Sequence, residues 1–435
     1  MALTTQPYKG ARDFYPEDKR LQKYIFKTMR DVCERFGYEE YDAPVLEPEE
    51  LYLAKSSNEI VSEQTYVFSD RGDRRVVIRP EMTPTVSRMV AGRRQELAYP
   101  LRWYSIPNLW RYERPQRGRL REHWQLNVDV FGLGGVEAEQ EIILLASNIM
   151  KTFGAKQEMF TIKLNSRKLI NELMTTVLGL DETQVQTMIR QIDRMHKMDY
   201  AEFAGQIDGL FNPSQRAKNE TEILLDFLKS NELENLPQEL SNHNSVIQLK
   251  QLMSLLSDGG VKNIEFDPTL MRGFDYYTDI VFEVFDANPE NNRSMFGGGR
   301  YDGLVGMFGV EPVPTVGFGM GDVTLQNFLE SHDLLPKLRS ETDIYVALIG
   351  DVYEHAQKPL AELREMGVNI ALDATGRKPD KQLKTALKKD VHYIMFIGKK
   401  ELNSGQYPIK NLHSGVEEKH GLQRIVSIVK DYRKP

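Results

Sequence analysis

Between Arg102 and Gly132 the chain reads RWYSIPNLWRYERPQRGRLREHWQLNVDVFG, and it places five arginines in the eleven residues from Arg111 to Arg121. A guanidinium stays charged and offers a planar fork of donors, so a loop of this make-up suits the oxygens of a polyphosphate. Pro115 and Gly118 keep Arg114, Arg117, Arg119 and Arg121 out of regular structure. In the strand that follows, alternation puts Trp124, Leu126, Val128 and Val130 on one face and Gln125, Asn127 and Asp129 on the other. A strand polar on one face inside a large protein predicts a pocket floor. The same period aligns Leu109, Arg111 and Glu113 before the loop, so the stretch reads as two strands joined by a cationic loop. The competing reading, an exposed basic hairpin with solvated charges, leaves the polar strand unexplained.

Four further stretches carry candidate chemistry. Arg79-Pro80-Glu81-Met82-Thr83 supplies a carboxylate and a hydroxyl; with Thr83 as N-cap and Pro84 first in a helix it also reads as a helix start, which leaves Arg79 and Glu81 unexplained. Arg272-Gly273-Phe274-Asp275-Tyr276-Tyr277 precedes a strand in which Thr278, Ile280, Phe282 and Val284 alternate with Asp279, Val281 and Glu283. Adjacent tyrosines at a strand start face opposite ways, so one of them is expected in the core. Phe296-Gly297-Gly298-Gly299-Arg300-Tyr301-Asp302-Gly303 follows; glycine runs are usually turns, and they also allow close backbone approach to a ligand. In Thr315–Gly321 (TVGFGMG) alternate glycines leave a bare face on which a flat heteroaromatic ring could lie, ahead of a helix from Asp322 to Glu330.

The elements that must position these groups follow from periodicity. Leu21, Ile25, Met29, Val32 and Phe36 predict a helix from Glu17 to Phe36, stopped by Gly37. Tyr38–Val45 reads as a strand whose Pro44 confines it to an edge or interface. Strands are expected at Arg74–Arg79 and Met159–Leu164 and a helix at Val136–Phe153. Residues 165–260 turn helical and polar, with SNELENLPQELSNHNS as a linker. After a second linker, Ser331–Thr342, strand and helix alternate: Asp343–Ile349, a helix to Met366, Val368–Leu372, a helix from Pro379, Tyr393–Ile397. That alternation predicts a parallel sheet with crossover helices. Arg377, Lys381, Lys384 and Lys388 fall at i, i+4, i+7 and i+11 and would share one helix face; a solvated face is the plain reading, RNA phosphate contact the sharper one.

A chain of 435 residues, 40% hydrophobic, is long enough for two or three domains. Net charge is −7, divided as +3 on residues 341–435 and −10 on the rest, which argues against a protein that merely coats nucleic acid. The lone Cys33 excludes an intrachain disulfide and a cysteine-cluster zinc site, and its helical setting predicts burial. The eight histidines show no metal-ligand spacing. No apolar leader and no run of about 18 apolar residues is present, so neither secretion nor a membrane span is expected, and a cytoplasmic location is.

RYERPQRGRLREHWQ resembles motif 2 of the class II aminoacyl-tRNA synthetases, and within that class the histidyl family. The RGFDYY and FGGGRYDG segments resemble that family's two signatures, and TVGFGMG resembles motif 3, with Thr324 where many members carry arginine. The helix-strand-proline opening resembles motif 1, which forms the dimer interface in that class. The resemblance covers essentially the whole chain. It implies an α+β catalytic core, an antiparallel sheet flanked by helices, at 1–164 and 261–330. It further implies a helical insertion at 165–260, a linker at 331–342 and an α/β anticodon-binding domain at 343–435. The activity implied is ATP-dependent ligation of L-histidine to tRNA(His) through a histidyl-adenylate, by a homodimer with Mg2+ on the outer phosphates.

Carried over residue by residue, the resemblance makes Arg111 and Arg272 the catalytic pair, both also at the histidine: Arg111 on the α-phosphate and the substrate carboxylate, Arg272 on the α-phosphate from the opposite side. Arg119 would take the outer phosphates and Glu113 the adenine, with Gly319 and Gly321 beneath the ring. Glu81, Met82, Thr83 and Gln125 would surround the ammonium of histidine, and Asp129, Tyr276 and Tyr277 its side chain. Asp129 stands where members commonly have glutamate, one methylene shorter. The Arg377, Lys381, Lys384 and Lys388 face would meet tRNA, and no tightly held metal is implied. Two other readings compete. The regulatory subunit of ATP phosphoribosyltransferase resembles this core and binds histidine without activating it, but it lacks the tail domain and an intact RGxDYY segment. A prolyl, threonyl or glycyl enzyme would lack the two histidine signatures.

Overall fold

The computed structural model describes residues 3–53, 64–195, 198–271, 276–291 and 293–433. The chain forms two compact units, Met1–Leu335 and Pro336–Pro435. In the first, the opening helix runs from Pro16 to Arg35 and buries Ile25, Met29, Val32 and Cys33, the apolar stripe expected from the sequence. Gly37 ends it at φ +79°.

The expected strand Tyr38–Val45 shrinks to β1, Glu39–Glu40, followed by β2 at Leu46–Pro48. Ala43 and Pro44 instead turn their carbonyls to the buried Arg79 guanidinium. Then come β3 (Tyr66–Ser69), β4 (Arg75–Ile78) and the helix Thr83–Gly92. That helix is capped at Met82, not Thr83, which is its first residue. β2, β4 and β3 form a small antiparallel sheet.

The central stretch gives β5 (Leu101–Ser105), β6 (Asn108–Trp110) and β7 (Glu122–Phe131). The expected first strand therefore breaks at Ile106-Pro107 and ends at Trp110, because Pro107 cannot donate to a ladder. Arg111 and Glu113 lie in the loop, not in a strand. β8 (Phe160–Ser166), β9 (Ile264–Phe266), β10 (Ile280–Asp286), β11 (Ser294–Arg300) and β12 (Thr315–Gly321) complete a sheet ordered β1-β5-β7-β12-β11-β10-β8-β9, with β6 on β7. It is antiparallel except at its outermost pairs, β1–β5 and β8–β9.

One face of this sheet, through Leu126, Val128, Val130, Val316 and Met320, packs on the opening helix and the helix Glu137–Thr152. Residues of the helical stretch, Phe203, Leu224, Phe227 and Leu252 among them, belong to the same continuous core. Arg300, from the glycine-rich signature, is locked in this unit by a buried two-pronged pair with Glu139 and by the carbonyls of Leu133 and Gly135.

In the second unit β13 (Ile344–Leu348), β14 (Ile370–Asp373) and β15 (Tyr393–Ile397) are parallel, as the alternation predicts. Two antiparallel strands, β16 (Tyr407–Asn411) and β17 (Glu417–His420), extend the sheet at one edge; periodicity does not announce them, because both are short, β16 carries Pro408 and β17 is polar throughout. The helix Pro379–Lys388 presents Lys381, Lys384 and Lys388 to solvent. Arg377 does not share their face. It precedes the helix, and Nη2 donates to Asp373 at 2.7 Å while Nε donates to the Thr375 hydroxyl.

Candidate active site

The bare glycines, the polar side of β7 and the tyrosine pair meet in one pocket of the first unit. Glu81, Thr83, Arg111, Gln125, Asn127, Tyr276, Tyr277, Glu283 and Tyr301 surround it, over the backbone of Gly297, Gly317 and Gly319. The sheet register explains why: Gly317 pairs with Asp129 and Gly319 with Asn127 across β12 and β7, so the polar row lies beside a strip without side chains. That strip is obligatory. A methyl on Gly317 would sit 2.1 Å from Asp129 Oδ1, and one on Gly319 would sit 2.6 Å from Gln125 Nε2. Gly317→Ala is therefore expected to raise the KM for the substrate that Asp129 faces by about tenfold or more. An unchanged KM in initial-rate assays would place that substrate elsewhere.

Asp129 is 3% exposed, and Tyr301 donates its hydroxyl to Oδ1. Its Oδ2 is buried and has no partner among the described residues. Burial pushes its carboxyl up to about 7, only partly offset by the tyrosine hydrogen bond. An acceptor atom that is buried, unpartnered and next to a pocket is what a donor N–H of a ligand would satisfy.

Glu81 lines the pocket. Tyr276 donates to its Oε2 at 3.1 Å, and Tyr52 donates to its backbone carbonyl. Both Tyr276 and Tyr277 line the pocket, with ring centres 5.0 Å apart, and they precede β10 instead of starting it. As expected, one of them is core: Tyr276 is buried with Tyr301 and Leu304, and Tyr277 packs partly buried against that cluster. Met82 is fully buried and is not among the residues that line the pocket, and Arg79 ties Asp42, Ala43 and Asn108 together as a structural brace.

At the mouth, Arg111 is braced by its Nε–H to the Pro80 carbonyl at 2.9 Å. Glu113 lies 3.6 Å from Arg119 and 4.0 Å from Arg111, so a carboxylate sits between the two cations assigned to phosphates. Arg119 is half-exposed. His123, on the same side of β7 as Gln125, is held neutral with its pKa lowered to about 3 by burial and by the Arg111 and Arg12 charges. Thr324, in the arginine position of the third motif, bonds the carbonyls of Met295 and Gly321. Arg272 lies outside the described residues.

Asn127, expected on the pocket floor but given no ligand, lines the pocket, and Glu283 and Tyr301 are pocket residues without an expected role. For Asn127 the signal was available, since it belongs to the same polar row as Gln125 and Asp129. Glu283 needed the register of β10 with β11, in which it opposes Gly297, and Tyr301 needed its long-range partner Asp129.

The sequence model of the histidyl-tRNA synthetase family matches residues 10–323, and that of the anticodon-binding domain matches residues 343–432. A histidine–tRNA ligase of Leptospira biflexa is 42% identical over 414 residues, 95% of this chain and 94% of that protein. One of Haloarcula marismortui is 34% identical over 418 residues, covering 94% and 93%. Among solved structures, the histidyl-tRNA synthetase of Nostoc sp. PCC 7120 superposes with a TM-score of 0.82 at 23% identity, over 99% of this chain and 100% of that one.

Proposed function

Given that the chain belongs to the histidyl-tRNA synthetase family, we propose a division of labour for its pocket in the reaction that family performs. The enzyme ligates L-histidine to tRNA(His) with ATP, through a histidyl-adenylate. A carboxylate oxygen of histidine attacks the α-phosphorus, pyrophosphate leaves, and the terminal ribose hydroxyl of tRNA then takes the acyl group, releasing AMP.

The observation that carries our assignment is one pocket lined by Glu81, Thr83, Gln125, Tyr277 and Arg111, with the buried Asp129 paired across the strands with the pocket's Gly317. Glu81, Thr83 and Gln125 take the ammonium, as acceptors that a cation needs. Asp129 and Tyr277 read the imidazole, with Tyr301 and Tyr276 orienting the two carboxylates. Arg111 neutralises charge between the substrate carboxylate and the α-phosphate, and Arg272 is assigned the same phosphate by resemblance. Arg119 meets the outer phosphates, Glu113 the adenine, and the bare strip at Gly319 and Gly321 the ring face. Catalysis in this step is positioning and charge neutralisation around a phosphorus in line for displacement.

Magnesium belongs to the reaction as the companion of the triphosphate. The floor carboxylate of Glu283 is a hard oxygen donor of the kind that ion takes, and one or two carboxylates with phosphate oxygens and waters fill its shell. When bound, it would neutralise the outer phosphates.

The second unit takes the anticodon arm, with Lys381, Lys384 and Lys388 on phosphates; the helical stretch 165–260 is assigned the acceptor side. No helix among the described residues is long and apolar enough to cross a membrane, and a cytoplasmic homodimer is our reading. Histidine-dependent ATP–pyrophosphate exchange, run in parallel with the other standard amino acids, tests the site. Exchange with histidine alone is expected; equal exchange with a second amino acid would remove the imidazole-reading role from Asp129 and Tyr277.

A further inference from the structure

The segment before the opening helix crosses both elements of the proposed nucleotide site. The Gly10 carbonyl accepts two backbone N–H groups from the stem of the arginine loop, Arg121 at 2.9 Å and Glu122 at 3.1 Å. The Tyr8 hydroxyl accepts from Arg121 Nη1 at 3.0 Å. Arg121 itself stacks over the Tyr112 ring at 4.0 Å and donates Nε to the Glu113 carbonyl on the loop's other stem. The two stems are further joined by Arg111 N–H to the Arg121 carbonyl. Two residues on, Arg12 pairs at 2.7 Å with Asp322, the first residue of the helix after the glycine strand, whose carboxylate also takes the Trp124 N–H.

Arg121 is thus not a free phosphate ligand. It is a clasp, closed between Tyr112 and Tyr8, so the cations divide into Arg121 holding the loop, Arg111 lining the pocket, and the exposed Arg114, Arg117 and Arg119. The strap can lie this close to the clasp only with glycine at its crossing point. Gly10 sits at φ +86°, and a methyl there would lie 2.7 Å from Arg121 Cγ and 2.9 Å from its Cβ.

We propose that residues 8–12 form a positioning strap for ATP, with Tyr8, Gly10 and Arg12 as positioning residues. They fix the arginine loop against the start of the helix Asp322–Ser331, so that Arg111, Glu113 and Arg119 meet the nucleotide preorganised. In the absence of the strap, ATP must order the loop itself, and the ordering free energy is taken from its binding. Histidine shares only Arg111 with the loop, and the rest of its pocket lies further along β7, so ATP is the substrate more affected. The inference rests on the assignment of the loop to ATP.

The test is pyrophosphate exchange with full-length Tyr8→Phe, Gly10→Ala and Arg119→Ala proteins, measuring KM for ATP and for histidine and thermal unfolding for each. Tyr8→Phe removes one hydroxyl and keeps the ring, so folding is preserved. A rise in ATP KM of about threefold for Tyr8→Phe and about tenfold for Gly10→Ala, with a clearly smaller change in histidine KM, is expected. If Arg119→Ala raises ATP KM and neither strap variant does, the strap is only structural and the inference is overturned. It is equally overturned if both substrates' KM values rise together with a falling unfolding temperature. If Arg119→Ala also leaves ATP KM unchanged, the loop's assignment to ATP fails and the strap's role goes with it.

Discussion

Arg111→Ala should slow histidyl-adenylate formation by about a thousandfold, or ~4 kcal/mol of activation free energy, the loss seen when one preorganised charge partner of a reacting centre is deleted. Arg111 is suited to this because its position is fixed before any ligand arrives. Its Nε is tethered to the Pro80 carbonyl and its backbone N–H to the Arg121 carbonyl, and its guanidinium lines the pocket mouth. Lysine keeps the charge but not the fork, so Arg111→Lys should recover little. Single-turnover adenylate formation at saturating ATP and histidine is the direct measurement. A drop of less than tenfold would mean that the charge at the reacting phosphorus is balanced by other groups.

Asp129→Asn should weaken histidine by roughly 10- to 100-fold, the range for removing the charge from a buried charge-assisted hydrogen bond, while leaving ATP KM in place. The native residue should also make histidine binding depend on pH. The carboxylate is the form that accepts an imidazole N–H, and with its carboxyl near 7 the empty site loses that form on acidification. Histidine KM should therefore rise as pH falls through about 7, and the asparagine variant should flatten that dependence. Stability responds with its own sign. Between the ordinary carboxylate range and about 7 the folded protein holds this proton and the unfolded chain does not, so stability of the empty enzyme falls as pH rises through that window. Asp129→Asn should thus unfold at a higher temperature than the native enzyme at pH 8, and at about the same temperature at pH 4. A histidine KM unchanged by the substitution would show that the imidazole is read by another group.

Much of the fold could be read from local pattern. The opening helix, β4, β12 and the parallel half of the second unit obey a single period over their length and start or stop at glycine or proline, so the local signal agrees with the tertiary outcome. The failures share a cause. Tyr38–Val45 has the composition of a strand, yet Arg79 captures the carbonyls of Ala43 and Pro44, and a long-range partner of that kind leaves no local trace. Arg377 continues the lysine spacing, yet Asp373, four residues earlier at the end of β14, holds it off the helix. A β-strand period extended through Trp110 to Glu113 ran past the point where the ladder on β7 ends.

The same division applies to the site. Its chemistry was set by residue type and local alternation: five arginines around a proline and a glycine, a polar row on β7, glycines at every second place on β12, and signatures that resembled one family from end to end. Those are properties of neighbouring residues, which the sequence displays directly. What only the tertiary structure decided is which of those groups face one another. Asp129 and Glu81 come from different segments of the chain, and the Tyr301 that binds one and the Tyr276 that binds the other lie more than a hundred residues further along. Arg121 became a clasp and not a phosphate ligand because Tyr8 and Gly10 cross it. Hydrogen bonds and charge pairs act over a few ångströms in space whatever the separation in sequence, so the partner of a polar group is set by the packed sheet and not by the pattern that announces the group.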